Sequence, residues 1–386
     1  MKLQLILGSQ NDMNGINLTE EDLANNVEIN PYFQSRDIWL QDWGEIGAVH
    51  VEGASKERTT IFDSNRGRGL AALPKTLAKM WNSHYIKGPP GHGAGNYGGN
   101  IEVTPDDLLV IGDSSSDAIQ TQFKTMGYEG KTIVLETNWL LVGHVDEYLS
   151  FLPNPDTPLG YTVVVADPQM ALDLVNETPE AEFENQFKEM FNSAFKRASE
   201  FPGILSQDKR GYSDLARKVA AMYLGSHGKP VTQSRYKSDT LLAANAEAAE
   251  IIERNLQSLI TALKARYGEE LEVPLVRVPI LMGKNRGRFA ALTPGVANMV
   301  VLRDHLVVPD PLFKSFQTAV EDGFSAVGFK AHLIPNLTYH IGVGQLHCGT
   351  NTFRHPNKYV HPRYKQFFKA RKRAKLRGFR AMQGDE

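Results

Sequence analysis

The lone cysteine, Cys348, lies in GQLHCGTNTF among polar residues and glycine, where a buried structural cysteine would keep apolar neighbours. A thiol reacts as its thiolate, which nearby positive charge or exposed backbone amides favour. His144 and Asp146 stand two apart in WLLVGHVDEYLSFLP, a spacing that on a strand turns both side chains to one face. An imidazole and a carboxylate on one face suit acid–base chemistry, although a structural His–Asp pair at a strand end has the same spacing. Gln41, Asp42 and Glu45 interrupt the apolar and aromatic IWLQDWGEIGAV, and Asn100 and Glu102 follow a glycine turn in GGNIEVTP. Charges in such a setting are costly to bury unless paired, so the alternative is that they are surface acids or a plain strand entry.

Taken together these groups suit a guanidinium. That cation is planar, permanently charged and rich in donors. Two carboxylates can grip its nitrogens and fix its plane. Its central carbon is a poor electrophile, so a strong nucleophile such as a thiolate must attack it, and a histidine must protonate the departing ammonia and activate water. The chain offers Asp42, Asp146, His144 and Cys348 for these roles.

The elements that must position these residues are short. Strand-like runs fall at Leu3–Leu7, Ile46–Val51, Thr60–Asp63, Leu108–Ile111, Thr132–Leu135, Tyr148–Leu152, Thr162–Ala166, Met299–Leu302 and Ala331–Ile334. Helical periodicity appears over Leu70–Met80, Ile119–Met126, Ala181–Ser199 and Leu241–Tyr267. The alternation argues for an α/β or mixed α+β architecture. The glycine-rich Lys87–Gly99 lacks a following GK[ST] and reads as a flexible connector rather than a phosphate loop. No repeat of fixed period is visible.

Composition sets the class. With 386 residues, 41% hydrophobic and 22% charged, the chain has the balance of a globular protein with a sizeable core. A net charge of −2 gives no global sign of nucleic-acid binding. Residues 356–386 form a basic tail, either a solvated helix or a contact surface. No secretory signal or membrane-length apolar run is seen, and a lone cysteine excludes an intramolecular disulfide, so a reducing, cytoplasmic setting is expected.

The motifs WLQD, FDSNRGRGL, GNIEVTP, VGHVDEYLSF and TYHIGVGQLHCGTN run in the order of the protein-arginine deiminase family, and from about Asp37 to Arg354 the chain resembles its catalytic domain. Agmatine deiminases and amidinotransferases of the wider guanidine-modifying superfamily share a looser version. The resemblance implies a catalytic unit over residues 1–355, folded as a pseudo-fivefold α/β propeller (pentein) of ββαβ-type modules, without room for the amino-terminal immunoglobulin-like domains of animal members. It implies hydrolysis of arginine in a protein or peptide to citrulline, through a thiouronium on Cys348, with His144 as acid–base and Asp42 and Asp146 as clamps. Trp39 would flank the substrate's methylenes, Arg68 with Arg66 beside it would contact peptide carbonyls, and Val142 would line the substrate site. One Ca²⁺ site maps onto the Gln41, Glu45 and Glu102 side chains and the backbone oxygens of Gly98 and Ile101. A second keeps Asp63 and Ser64 but has Trp43 and Gly67 where the family has oxygen-bearing side chains. The segment IGVGQL also departs from animal members, which carry Arg and His there. Other readings are a deiminase of a small guanidine, such as agmatine or free arginine, and an inactive binding module on the same scaffold. Neither nucleic acid nor a membrane is an expected partner.

Overall fold

A computed structural model describes residues 3–7, 27–31, 37–49, 58–90, 93–179, 181–182, 185–186, 239–285 and 287–352. The expected domain boundary at 355/356, the basic tail and nearly all of the helix expected over Ala181–Ser199 lie outside these residues.

One supersecondary unit recurs. Strands β1 (Leu3–Leu7) and β2 (Val27–Pro31) form a parallel pair. The first complete module is β3 (Gly44–Val49), β4 (Arg58–Asp63), helix α1 (Leu73–Met80) and β5 (His84–Lys87). The second is β6 (Ile101–Val103), β7 (Leu109–Gly112), α2 (Asp117–Phe123) and β8 (Thr132–Leu135). The third is β9 (Leu149–Pro153), β10 (Tyr161–Asp167), α3 (Pro168–Glu177), α4 (Asp239–Tyr267) and β11 (Leu275–Pro279). A hairpin, β12 (Met282–Asn285) with β13 (Arg288–Ala291), follows. The fourth module is β14 (Val300–Leu302), β15 (His305–Pro309), α5 (Lys314–Ala326) and β16 (Lys330–Ile334), with the short helix α6 (Leu337–Ile341) beyond it. In all four modules the central strand pairs antiparallel with the strand before it and parallel with the strand after the helix. A parallel neighbour requires a crossover connection, and the helix supplies it.

This repetition leaves no fixed period in the sequence because the crossovers differ in length. Between β4 and β5 the chain takes residues 64–83, whereas between β10 and β11 it takes residues 168–274. Local chemistry still marks the elements. Ser116 caps α2 by accepting the Ile119 N–H, and Asp167 caps α3 by accepting the Met170 N–H at 2.9 Å ahead of Pro168 at the first helical turn. β7 and β10 are buried almost throughout and read as near-continuous apolar runs, as central strands do.

Several boundaries differ from expectation. The helix expected from Leu70 starts at Leu73, after a turn that leads into Pro74. The one expected over Ile119–Met126 spans Asp117–Phe123 and then widens into a looser turn through Gly127, whose φ is +96°. Strands β2, β5, β11, β12, β13 and β15 are not among the expected runs, and β6, expected only as a strand entry after a glycine turn, is three residues long, too short to show periodicity.

The largest core packs one face of α4 against the third module. Ala244, Ala248, Ile251, Leu259 and Leu263 recur at helical spacing and meet Tyr161, Val163 and Val165 of β10. Two buried asparagines on α4 do backbone work. Asn245 exchanges bonds with the N–H and carbonyl of Met282 (2.9 and 3.0 Å), and Asn255 with those of Glu136 (2.7 and 2.9 Å), each as a paired strand residue would. Among the described residues no helix is long and apolar enough to cross a membrane.

Replacing Asn255 with Leu keeps the volume but leaves the Glu136 backbone unpaired. A loss of about 1–2 kcal/mol in urea unfolding is expected; an unchanged midpoint would show that water satisfies those groups.

Candidate functional site

Asp42 lies in the 3₁₀ turn Leu40–Trp43, which leads directly into β3. Trp43 anchors the turn in the core of the first module. The next residue is Gly44 at φ +146°, where a Cβ would stand 1.9 Å from the Phe62 carbonyl oxygen, so only glycine makes this entry. The Asp42 carboxylate meets Arg66 Nη2 at 3.1 Å, an ion-pair contact rather than an aligned hydrogen bond. Arg66 is itself buried: it also reaches Asp37 Oδ2 at 3.2 Å, donates to the Trp39 carbonyl at 3.0 Å and lies over the Tyr97 ring. Arg68, by contrast, is 48% exposed, with Nε 3.3 Å from Asp37. Burial pushes the Asp42 carboxyl up to about 6; His144 and Arg68 oppose the rise and Asp146 adds to it.

His144 and Asp146 share a site, but not by strand alternation. His144 is extended, and Val145–Glu147 is a 3₁₀ turn that brings Asp146 back beside it. The Glu147 carboxylate ties off that turn by accepting the N–H groups of Gly143 and His144, each at 2.9 Å. The His144 Nε2–H donates to the Ala94 carbonyl at 2.8 Å, which leaves Nδ1 as an acceptor in the neutral ring. Nδ1 lies 4.0 Å from Asp146 Oδ1, and among the described residues neither of these buried atoms has a hydrogen-bond partner. Gly99 presses against both: a Cβ there would stand 2.4 Å from His144 Nδ1 and 2.9 and 3.1 Å from the Asp146 oxygens. The glycine-rich segment expected as a flexible connector is therefore built, over Gly93–Asn100, as two 3₁₀ turns. Asn100 pins them by donating to the Gly95 carbonyl at 2.8 Å and to Ser114 Oγ at 3.0 Å.

Cys348 completes the group. Its Sγ is 3.9 Å from Asp146 Oδ2, and the neighbouring His347 Nδ1 is 2.9 Å from the same oxygen. The Cys348 loop is held by two other segments and by a turn of its own. Its N–H donates to Asn298 Oδ1 at 3.2 Å, its carbonyl accepts the Gln41 N–H at 3.1 Å, and the Gly349 N–H donates to the Gln345 carbonyl at 3.2 Å. Gln345 in turn donates to His340 Nδ1 at 2.7 Å, while His340 Nε2–H donates to the Leu292 carbonyl; burial lowers this histidine to about 4, which keeps it neutral. Burial, followed by the charges of Asp146 and Asp42, holds the Cys348 thiol well above its usual range. A cation bound between these carboxylates would work in the opposite direction.

The remaining expected residues divide. Trp39 is buried, edge-on to Tyr339 and so close to the IGVGQL segment that a Cβ on Gly344 would stand 2.1 Å from its ring. Val142 is half-buried, beside Gly143 at φ +88°. Gln41 donates to Glu45 Oε1 at 2.6 Å. Gly98 stands so close to these two that a Cβ on it would lie 2.2 Å from the Gln41 carbonyl oxygen and 2.6 Å from Glu45 Oε1. Ile101 and Glu102 follow at the start of β6. At the second set, Asp63 accepts from the Asn65 N–H and the Tyr85 hydroxyl, Ser64 donates to the Asp42 carbonyl, and Trp43 is core. Among the described residues no group of three or more His, Cys, Asp or Glu is placed to hold a metal ion. Glu147, His347 and Gly99 were missed although they sit inside the motifs read above. Asn298, in PGVANMVV, carries no signal in the sequence.

Burial raises Glu147 to about 7, against the opposing effects of His144 and its bound N–H groups. A carboxyl that ionises later in the folded than in the unfolded chain contributes full stability below about 4.5 and loses it as pH rises through about 7. Glu147→Gln keeps the acceptor and removes the charge. Its melting temperature should match the parent near pH 4.5 and exceed it by the equivalent of about 1–2 kcal/mol at pH 8; a difference independent of pH would refute the assignment.

The chain matches the protein-arginine deiminase (PAD) family over residues 116–360. It is 26% identical over 348 residues to human protein-arginine deiminase type-4, covering 83% of this chain and 47% of that protein. To the human type-1 enzyme it is 27% identical over 359 residues, covering 86% and 48%. The chain thus spans about half the length of the curated relatives it matches. Among solved structures, C. jejuni agmatine deiminase superposes with a TM-score of 0.50 at 16% identity, over 92% of this chain and 82% of that one. A Porphyromonas gingivalis protein assigned as an arginine deiminase gives 0.52 at 14%, over 93% and 86%. At such identities the likeness is one of fold, the mixed α/β pentein fold of these enzymes. Because the family match runs from the Ser116 helix cap past Cys348 and takes in more than half of the chain, this protein belongs to the protein-arginine deiminase family.

Proposed function

We propose that this protein hydrolyses the guanidinium of an arginine residue in a protein or peptide, yielding citrulline and ammonia. The observation that carries the reading is the pair of buried acceptors without hydrogen-bond partners among the described residues, His144 Nδ1 and Asp146 Oδ1, 4.0 Å apart and beside the Cys348 thiol. Buried polar atoms are rarely left unpaired, so the pair calls for a ligand rich in N–H donors. A guanidinium nitrogen has one hydrogen for each acceptor. Asp42 lies near enough to raise the energy of a second uncompensated carboxylate, and a planar cation relieves both.

In this reading the bound cation lowers the cost of ionising Cys348. The Cys348 thiol passes its proton to the neutral His144 and the thiolate attacks the central carbon; the nitrogen between His144 and Asp146 takes that proton from the imidazolium and leaves as ammonia. The remaining thiouronium is attacked by water, which gives one proton to His144; the sulfur leaves as the thiol with the other, releasing citrulline, and His144 passes its proton on to the ammonia. Arg68, exposed beside the site, has the charge and reach to meet peptide carbonyls. For that reason a peptide arginine is favoured over a small guanidine. The Arg66 guanidinium on Asp42 must shift or share that carboxylate when substrate enters.

The oxygens of Gln41, Glu45 and Glu102, with the backbone oxygens of Gly98 and Ile101, suit one Ca²⁺, a hard cation that prefers oxygen ligands. The close approach of Gly98 to Gln41 and Glu45 supports the fit. The ion would supply positive charge that holds the Gly98–Asn100 turn, and with it Gly99, against His144. The Asp63 set, already bonded within the chain, is not proposed as a second site. The four ββαβ modules, with β1 and β2 contributing to a fifth, are proposed to close into a pseudo-fivefold propeller over residues 1–355.

Ammonia and citrulline release from a blocked arginine ester, agmatine and free arginine, with and without calcium, tests the substrate class. The ester should be the best substrate and need calcium; preference for agmatine would reject the peptide reading. Cys348→Ser should abolish release while arginine binding survives, and Glu102→Ala should raise the calcium requirement.

Gly99→Ala introduces a Cβ that must displace His144 or Asp146. A fall of about a hundredfold or more in kcat/KM is expected with an unchanged circular dichroism spectrum. Full activity in this variant would contradict the placement of the reacting groups.

A further inference from the structure

Asn298 lies in the segment between β13 and β14 and has no part in the reaction just outlined. It is 1% exposed, and its amide is engaged at both ends. Oδ1 accepts the Cys348 N–H at 3.2 Å, and Nδ2 donates to the Asp146 carbonyl at 3.3 Å. Its backbone carbonyl accepts the His347 N–H at 3.2 Å, and its own N–H closes a turn onto the Gly295 carbonyl at 3.2 Å. Asp146 and Cys348 are 202 residues apart in the chain, so no local geometry sets their spacing.

We propose that Asn298 is a positioning residue that sets the separation between the Cys348 sulfur and the Asp146 carboxylate by binding both backbones through one rigid amide. An amide suits the task because it offers a donor and an acceptor in one plane without charge. A carboxylate could accept from Cys348 but would face the Asp146 carbonyl with no hydrogen to give. Alanine offers neither group. What the separation serves depends on the deiminase reading above, whereas the role in setting it depends on the hydrogen bonds alone.

The lone cysteine permits a test that does not depend on turnover. Asn298→Ala and Asn298→Gln are compared with the parent for kcat and KM on the blocked arginine ester. The same proteins are compared for the rate of iodoacetamide alkylation, at one pH and at a temperature where all are folded. Loosening the loop should move the two readouts in opposite directions. In Asn298→Ala, kcat falls about tenfold to a hundredfold with KM changed little, because a misplacement of about 1 Å is costly to the reaction. The buried thiol meanwhile alkylates faster. Asn298→Gln, which keeps donor and acceptor on a longer arm, falls between the two in kcat and carries the test should the alanine variant not fold. Unchanged kcat and alkylation overturn the proposal, as does a loss that raises KM and leaves kcat intact. If the parent releases no ammonia from any guanidinium yet Asn298→Ala still alkylates faster, the positioning role stands and the deiminase reading fails.

Discussion

The site is organised around a single buried carboxylate. Asp146 receives His347 on one oxygen, faces the Cys348 thiol with that same oxygen and presents the other toward His144, while its backbone carbonyl is held by Asn298. A charge taken out of water must be compensated by neighbours or by a ligand. Among the described residues its Oδ1 has no hydrogen-bond partner, and burial pushes the neighbouring Asp42 and Glu147 carboxyls upward. Under the proposed function a cation with directed N–H groups meets both demands.

The electrostatics also explain why the thiol belongs to this site and not to a generic reactive cysteine. Burial and two nearby carboxylates disfavour the Cys348 thiolate. Under the proposed function the substrate itself supplies the missing positive charge, so the nucleophile forms where the guanidinium already sits. That coupling would protect the free protein from indiscriminate oxidation or alkylation, because reactivity follows the thiolate.

Repetition of one module provides the frame. Each ββαβ unit ends its strands near a loop, and the site collects such loops: the turn before β3, the Gly93–Asn100 turns before β6, the Val145–Glu147 turn before β9, and the segment after α6. The glycines at these points are structural requirements. Gly44, Gly98, Gly99 and Gly344 each occupy a place where a Cβ would fall within 2.4 Å of another group, which lets backbones approach the site more closely than side chains would permit.

The residue types and their order were sufficient to suggest the chemistry proposed above. A cysteine in a polar turn, a histidine with a carboxylate two residues on, and acids inside an apolar stretch can be read locally, because reactivity and the cost of burying charge are properties of single side chains. The mixed α/β class was legible for the same reason, since strand and helix periods are local. The sequence was misleading where tertiary context ruled: His144 and Asp146 meet through a 3₁₀ turn rather than along a strand, and the glycine-rich stretch is a pinned pair of turns. Tertiary structure alone decided the repetition of the module, the burial of Arg66 against Asp42, and the place of Asn298 between Asp146 and Cys348. Those contacts join residues far apart in the chain, and no spacing along a sequence encodes a distance that only packing sets.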